Sequence, residues 1–162
     1  MPRYLLLFLT TLLINAAGWQ KAQAIDVSVS YATFNSPQGP FVELYFYYVA
    51  STLQFQPMPG SKQQQARVEV LILFKQEEQI IKFDKYQLSS PAMDEVRNFL
   101  DLKRYALPNG EYQLSISITD LADSTNTQTY GQPIRVDYPP EGLSISDIEL
   151  LQSVSKDTLQ GP

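Results

Sequence analysis

Residues 112–119 alternate between apolar and polar side chains without a break, and this pattern constrains the fold more than any other feature of the chain. The apolar set consists of Tyr112, Leu114, Ile116 and Ile118. Gln, Ser and Thr fill the positions between them. A period of two places the two sets on opposite faces of a β-strand. The segment is therefore predicted to be a strand with one face in a core and the other in water.

Similar segments recur along the chain, separated by turn-forming residues rich in Pro, Gly and Asn. The predicted strands are residues 26–31, 41–50, 66–75, 80–83, 98–106, 112–119 and 134–138. About seven short strands with little helix are typical of an all-β, immunoglobulin-like antiparallel β-sandwich, which we assign to residues 25–142. Residues 143–151 predict one more short strand, and residues 152–162 a flexible tail.

The stretch from 89 to 107 fits more than one structure. Ser90 is suited to cap a helix that has Pro91 at its first position, which predicts a short helical turn near residues 91–96. Phe99 and Tyr105 favour a strand over residues 98–106. A three-turn helix across one end of the sheets is the alternative to that strand.

Two further positions predict how the sandwich is closed. In immunoglobulin-like sandwiches a tyrosine near the start of the sixth strand bonds back to the chain a few residues earlier and forms a structural corner. Gly110 and Tyr112 occupy that place here. Pro133 cannot donate to a ladder, so the last strand is expected at a sheet edge or to begin its pairing there.

The chain contains neither cysteine nor histidine. Without cysteine there is no disulfide, thiolate zinc site or thiol nucleophile, and without histidine there is no imidazole base or metal ligand. We therefore expect no enzyme activity, no catalytic residues, no cofactor and no bound metal. A fragment of a hydrolase is the least favoured interpretation.

Residues 1–24 have the three parts of a secretory signal peptide: a basic Arg3, an apolar run over residues 4–17, and the cleavage pattern Ala22-Gln23-Ala24. The apolar run is shorter than the roughly 20 residues that cross a bilayer. Cleavage would remove two of 12 basic residues and none of 17 acidic ones, leaving a net charge of −7. We therefore expect an exported protein, periplasmic, cell-surface or secreted, with no membrane span after cleavage and no nucleic-acid partner.

Three groups of polar residues are candidates for a catalytic or metal site. The neighbouring carboxylates at 77–78 and at 94–95 are interpreted as solvated turn residues, because neighbours on a strand point to opposite faces. Asp120, Asp123 and Asn126 bring three oxygen ligands into one loop, but their spacing does not match a calcium-binding loop. Ser144, Ser146 and Asp147 lack a histidine for a catalytic triad.

One surface feature is a candidate for binding. If Val42 and its alternate neighbours face the core, then Phe41, Tyr45 and Tyr47 line the opposite side of the second strand. Leu71 and Leu73 would enlarge this row if the two strands were neighbours. A row of this kind is expected to be covered by a protein partner or to stack against sugar rings.

Several stretches resemble a known family: residues 34–45 (FNSPQGPFVELY), residues 84–91, residues 99–112 (FLDLKRYALPNGEY) and residues 146–150. They resemble the N-terminal β-sandwich region of exported bacterial proteins related to the GWxTD-domain group. The GWxTD motif itself is absent from this sequence. The resemblance implies no enzyme activity, and it implies that a further C-terminal domain would follow.

The sequence therefore predicts a non-catalytic exported module that mediates protein–protein interaction in a bacterial envelope or secreted system. Its expected partner is another protein or a missing C-terminal domain. The alternative is a carbohydrate-binding module that uses exposed tyrosines, with a glycan as its ligand.

Overall fold

The computed structural model describes residues 24–139 and 143–148. Apart from Ala24, the predicted signal peptide lies outside the described residues, as does the predicted tail over 152–162. The described residues form nine strands: β1 (Val27–Phe34), β2 (Phe41–Tyr48), β3 (Gln56–Pro57), β4 (Gln64–Gln65), β5 (Arg67–Gln76), β6 (Gln79–Ser89), β7 (Phe99–Ala106), β8 (Gly110–Asp120) and β9 (Thr127–Val136).

The seven long strands form two antiparallel sheets. A three-stranded sheet has the order β1-β2-β7, and a four-stranded sheet has the order β6-β5-β8-β9. The short strands β3 and β4 form a separate two-stranded sheet. Because sequence neighbours such as β6 and β7 belong to different sheets, the chain crosses between layers, as in an immunoglobulin-like sandwich. The predicted all-β fold is confirmed.

The core lies between the sheets and is built from alternate residues of each strand. β5 contributes Val68, Val70, Ile72 and Phe74, and each is at most 1% exposed. β2 contributes Val42, Leu44, Phe46 and Tyr48, all fully buried. Burying each such side chain stabilises the fold by about 1.5–3 kcal/mol. The face of β2 that was assumed to point to the core is therefore the buried one, and on β5 the alternate residues from Val68 to Phe74 form the buried face.

Tyr112 makes the hydrogen bond that defines a tyrosine corner. Its hydroxyl donates to the carbonyl oxygen of Pro108 at 2.9 Å, and its side chain is buried. Gly110 lies beside this ring, where an added Cβ would come within 2.6 Å of Gln76 Nε2 and 3.3 Å of the Tyr112 ring. The corner is therefore packed so closely that a side chain at position 110 would displace its neighbours.

The predicted helical turn near residues 91–96 is wrong. Met93 instead bridges to Gln64, with N–H to carbonyl distances of 2.9 and 3.0 Å in the two directions. Ser90 does not cap a helix, because its hydroxyl accepts from the backbone N–H of Ala66 at 3.1 Å. The helical segment of the described residues is a 3₁₀ turn at Ala50–Thr52. The strand predicted over 98–106 is confirmed as β7.

Residues 143–148 contain no strand, so the one predicted over 143–151 does not form in its described part; residues 149–151 lie outside the described residues. The segment is nevertheless attached to β1. The backbone N–H of Asp147 donates to the Thr33 carbonyl at 3.0 Å, and Asp147 Oδ2 accepts from the Thr33 N–H at 2.7 Å. Leu143, Ile145 and Ile148 remain strongly exposed.

Candidate interaction surface

The outward side of the three-stranded sheet is the candidate surface, and we call it the outer face. Its rows follow from the register, in which Tyr47 lies between Ser28 and Leu100, and Tyr45 lies between Ser30 and Leu102. Phe34 and Phe41 stack at the far end, with ring centroids 5.3 Å apart. The outer face thus brings together Phe41, Tyr45 and Tyr47, three of the five residues that the sequence analysis singled out.

Two leucines of the outer face were missed by the sequence analysis. Leu100 is 73% exposed and Leu102 is 50% exposed, and both lie on the edge strand β7. The signal was their alternation with Phe99 and Asp101 on β7. That alternation did not show which face was inward, because each face of β7 carries both apolar and charged residues.

The centre of the outer face is occupied by an ion pair. Glu43 is 6% exposed, and its carboxylate accepts from the Arg104 guanidinium, with a distance of 2.8 Å from Arg104 Nε to Glu43 Oε1. The Tyr45 hydroxyl donates to the other carboxylate oxygen at 2.5 Å. Arg104 also lies over the Phe41 ring, 4.8 Å from its centroid. The buried charge is therefore compensated, and the surface around it is mainly apolar.

Leu71 and Leu73 do not belong to the outer face. They lie on β5 in the other sheet, where they point away from the core, and Leu73 is directly opposite Phe83 of β6. The expectation that they would enlarge the row assumed that β2 and β5 are neighbours, and the topology separates the two strands. Together with Phe83, which is 68% exposed, they form a second apolar area on the opposite side of the sandwich.

A polar cleft lies beside Tyr47. Asn98 Nδ2 donates to the Tyr47 hydroxyl at 2.7 Å, and Asn98 Oδ1 accepts from the Ala50 N–H at 3.0 Å. The cleft has a volume of about 540 Å³ and is also lined by Gln63, Asp94 and Arg97. An amide, a carboxylate and a guanidinium thus line a cleft in which Asn98 is bonded to the Tyr47 hydroxyl, and groups of these kinds can form hydrogen bonds with sugar hydroxyls.

The loop between β8 and β9 uses its oxygens for structure. Asp120 is fully buried, and its two carboxylate oxygens accept from the N–H groups of Gln54 at 2.7 Å and Ala122 at 2.8 Å. Asn126 Oδ1 accepts from the Ile25 N–H at 2.8 Å. A hydrogen bond from the Thr125 side chain lowers the pKa of the Asp123 carboxyl. These contacts hold the loop to the start of β1 and to residues 52–54.

The acidic pairs at 77–78 and 94–95 lie in a turn and a loop at the surface. Glu77 and Glu78 form the turn of the β5–β6 hairpin, and both are exposed. Asp94 and Glu95 are exposed in the loop that precedes β7. Within residues 24–139 and 143–148, no group of three or more acidic side chains is arranged to hold a metal ion. In the same residues, no helix combines the length and apolar character that a bilayer crossing requires.

Comparison of the sequence with known protein families and with curated proteins found no match. The resemblance to the GWxTD-related sandwich region stays a prediction, as does the signal peptide over residues 1–24.

Proposed function

We propose that the chain is a non-catalytic, exported β-sandwich module that binds a protein partner in a bacterial envelope or secreted system. The outer face is the binding surface. The observation that carries the proposal is the row formed by Tyr47 and Leu100, which lie directly opposite each other and are 43% and 73% exposed. An exposed apolar area of this kind is typical of a surface that a partner covers.

The geometry favours a protein over a smaller ligand at this face. Leu100 and Leu102 are exposed and neither lines the polar cleft beside Tyr47, so a ligand that covers both must extend along the sheet. Aromatic residues and arginine are enriched at the centres of protein interfaces. Tyr45, Phe41 and Arg104 have that arrangement here.

Site-specific photo-crosslinking in the producing cells tests this proposal. A photoreactive phenylalanine analogue at position 100 is expected to form a specific adduct, because the partner covers that side chain. The matched control places the same analogue at Thr129, which is exposed on the outward side of β9. The adducted protein is identified by mass spectrometry and purified. Its affinity for the chain is then expected to fall at least tenfold in Leu100→Lys/Leu102→Lys.

Two results contradict the proposal. One is that positions 100 and 129 give the same adducts, since the surface then shows no selectivity. The other is that the purified adduct partner binds the double lysine variant as tightly as the unaltered chain.

Carbohydrate binding is the second candidate, and the polar cleft beside Tyr47 is the observation that favours it. A glycan array probed with the labelled chain is expected to show binding that is lost in Tyr47→Ala and in Asn98→Ala. Binding should persist in Leu102→Lys, which changes the outer face away from the cleft. A glycan that binds all of these variants equally contradicts this candidate.

A further inference from the structure

β1 is an edge strand with unused backbone groups. The Val49 N–H donates to the Asp26 carbonyl in continuation of the β1–β2 ladder, so the even-numbered residues of β1 bond to β2. Thr33 has the other parity, and both its N–H and its carbonyl bond to Asp147. The N–H and carbonyl groups of Val27, Val29 and Tyr31 therefore point away from β2. In the part of the chain that the structure describes, nothing pairs with them.

The other three edge strands carry features that discourage pairing with another chain. Inward-pointing charged residues occupy β6, with Lys82 and Asp84, and β7, with Asp101 and Lys103. β9 contains Pro133, which has no N–H to offer. Charges and proline are the usual means by which natural sheets protect their edges. Residues 27–34 contain neither, so β1 is the least protected edge of the sandwich.

We propose that two copies of the chain pair through β1, antiparallel about a twofold axis at Val29. Val29 then faces Val29 of the second copy, and Val27 of each copy faces Tyr31 of the other. These three pairs use all the free backbone groups, and each pair exchanges two hydrogen bonds. The result is a continuous six-stranded sheet with the order β7-β2-β1-β1-β2-β7.

The residues of β1 are self-complementary in this register, which is why the occupant is a second copy. Tyr31 and Val27 form an aromatic and β-branched pair across the axis, a combination that stabilises sheets. Ser28 lies opposite Ser30 on the outward side, so no like charges meet. In this register Thr33 would lie opposite Ile25 of the second copy, but the Thr33 backbone is bonded to Asp147 and the Ile25 N–H to Asn126. The two strands therefore separate after each pair of Val27 with Tyr31. This inference stands independently of the proposed function.

The mass of the chain in solution tests the proposal, using the full chain as the cell processes it. Sedimentation equilibrium at about 0.2 mM, well above a micromolar dissociation constant, is expected to give twice the monomer mass. Val29→Pro removes an outward N–H at an edge, where proline is tolerated. We expect it to raise the dissociation constant about 100-fold. A monomeric unaltered chain at this concentration overturns the proposal.

Two matched variants test the register and do not depend on proline being tolerated. Ser28 and Ser30 are both exposed, so lysine is accommodated in the monomer. Ser28→Lys/Ser30→Lys places like charges opposite each other and is expected to give monomers. Ser28→Lys/Ser30→Glu places opposite charges at the same positions and is expected to restore the dimer. A dimer that persists in the double lysine variant, or one that the lysine–glutamate variant fails to restore, overturns pairing in this register.

Discussion

The Tyr86 hydroxyl on β6 donates a hydrogen bond to Asp101 Oδ2 on β7 at 2.8 Å, joining the edge of one sheet to the edge of the other. A second bond runs in the reverse direction, from the Tyr105 hydroxyl on β7 to Asp84 Oδ2 on β6, also at 2.8 Å. Lys103 lies over the Tyr86 ring, 3.8 Å from its centroid. This side of the sandwich is therefore closed by paired polar groups.

We call these two tyrosine–aspartate hydrogen bonds between β6 and β7 the seam. Because of the seam, the free energy of unfolding should fall at alkaline pH. Burial, together with the hydrogen bonds to Asp101 and Asp84, raises the pKa of Tyr86 and of Tyr105 above the ordinary value of 10.0. Both tyrosines stay protonated in the folded chain at a pH where they ionise in the unfolded chain. Their contribution is complete below about pH 10 and is lost as the pH rises further. Urea unfolding midpoints measured from pH 8 to pH 11 should show this decrease.

The alkaline decrease is expected to be smaller in Tyr86→Phe/Tyr105→Phe, because neither side chain can then ionise in the unfolded state. Tyr47→Phe, which alters an exposed tyrosine, is the control and should keep the full decrease. If the double variant loses stability with pH as steeply as the unaltered chain, the tyrosines of the seam do not cause the alkaline decrease.

The hydroxyl of Tyr112 should stabilise the fold through the tyrosine corner. Tyr112→Phe removes the donor to Pro108 and leaves that carbonyl without its side-chain partner. We expect a loss of about 1–1.5 kcal/mol in the free energy of unfolding, measured by urea denaturation. Tyr130→Phe is the control, and it should change the free energy by less than about 0.5 kcal/mol. Equal effects of the two substitutions would exclude a special role for the corner.

Replacing tyrosine by phenylalanine should have the opposite effect on the free energy of unfolding at Tyr48. This side chain is fully buried, and its hydroxyl has no hydrogen-bond partner among the described residues. Tyr48→Phe relieves the cost of burying an unpaired hydroxyl while keeping the ring stacked on Phe99, at a centroid distance of 4.7 Å. We expect an increase of about 1 kcal/mol in the free energy of unfolding. A decrease of similar size would show that the hydroxyl has a partner in solution.

The sequence predicted the strands whose two faces differ most in polarity. β8 from Tyr112 to Ile118 and β5 from Val68 to Phe74 have apolar residues at every inward position, so their faces could be assigned from the period alone. Residues 84–89 of β6 and residues 127–133 of β9 were missed. Those segments are rich in polar residues such as Gln87 and Thr129, and ladder hydrogen bonds to β5 and β8 hold them in place. Composition carries little information about such bonds.

The candidate surface could be predicted only in part, for a related reason. The outward row of β2 followed from the alternation of Phe41, Tyr45 and Tyr47, which is a local pattern. Its neighbours depend on which distant strands pair with β2. Register places Leu102 beside Tyr45 and assigns Leu71 to the other sheet. Sheet topology of this kind arises from the packing of the whole domain and leaves no local signal.

The ion pair on the outer face should contribute to stability mainly by compensating Glu43. Arg104→Leu leaves the buried carboxylate with a single side-chain donor, the Tyr45 hydroxyl. Because Arg104 is itself largely exposed, we expect a modest loss of about 1–2 kcal/mol in the free energy of unfolding. Glu43→Leu/Arg104→Leu removes both charges and should recover most of that loss. Chemical denaturation of the single and double variants measures both effects.

Arg135→Leu is the control for this cycle, because Arg135 pairs with Asp137 where both side chains are more than 60% exposed. Its effect should stay within about 0.5 kcal/mol. A double variant on the outer face that is less stable than Arg104→Leu alone would mean that Glu43 has a stabilising role beyond the pair.

The turn between β5 and β6 should become more stable when Glu77 is replaced by glycine. Glu77 has a φ of 51°, in the left-handed region that costs a residue with a Cβ about 1–2 kcal/mol. Glycine avoids this strain but loses more conformational entropy on folding, by about 0.5–1 kcal/mol. The net expectation for Glu77→Gly is a gain of about 0.5–1 kcal/mol in the free energy of unfolding, measured in urea. Glu78→Gly is the matched control: residue 78 has no positive φ, so glycine there should lower the stability. If both substitutions are destabilising, the left-handed conformation of Glu77 carries no cost that glycine can relieve.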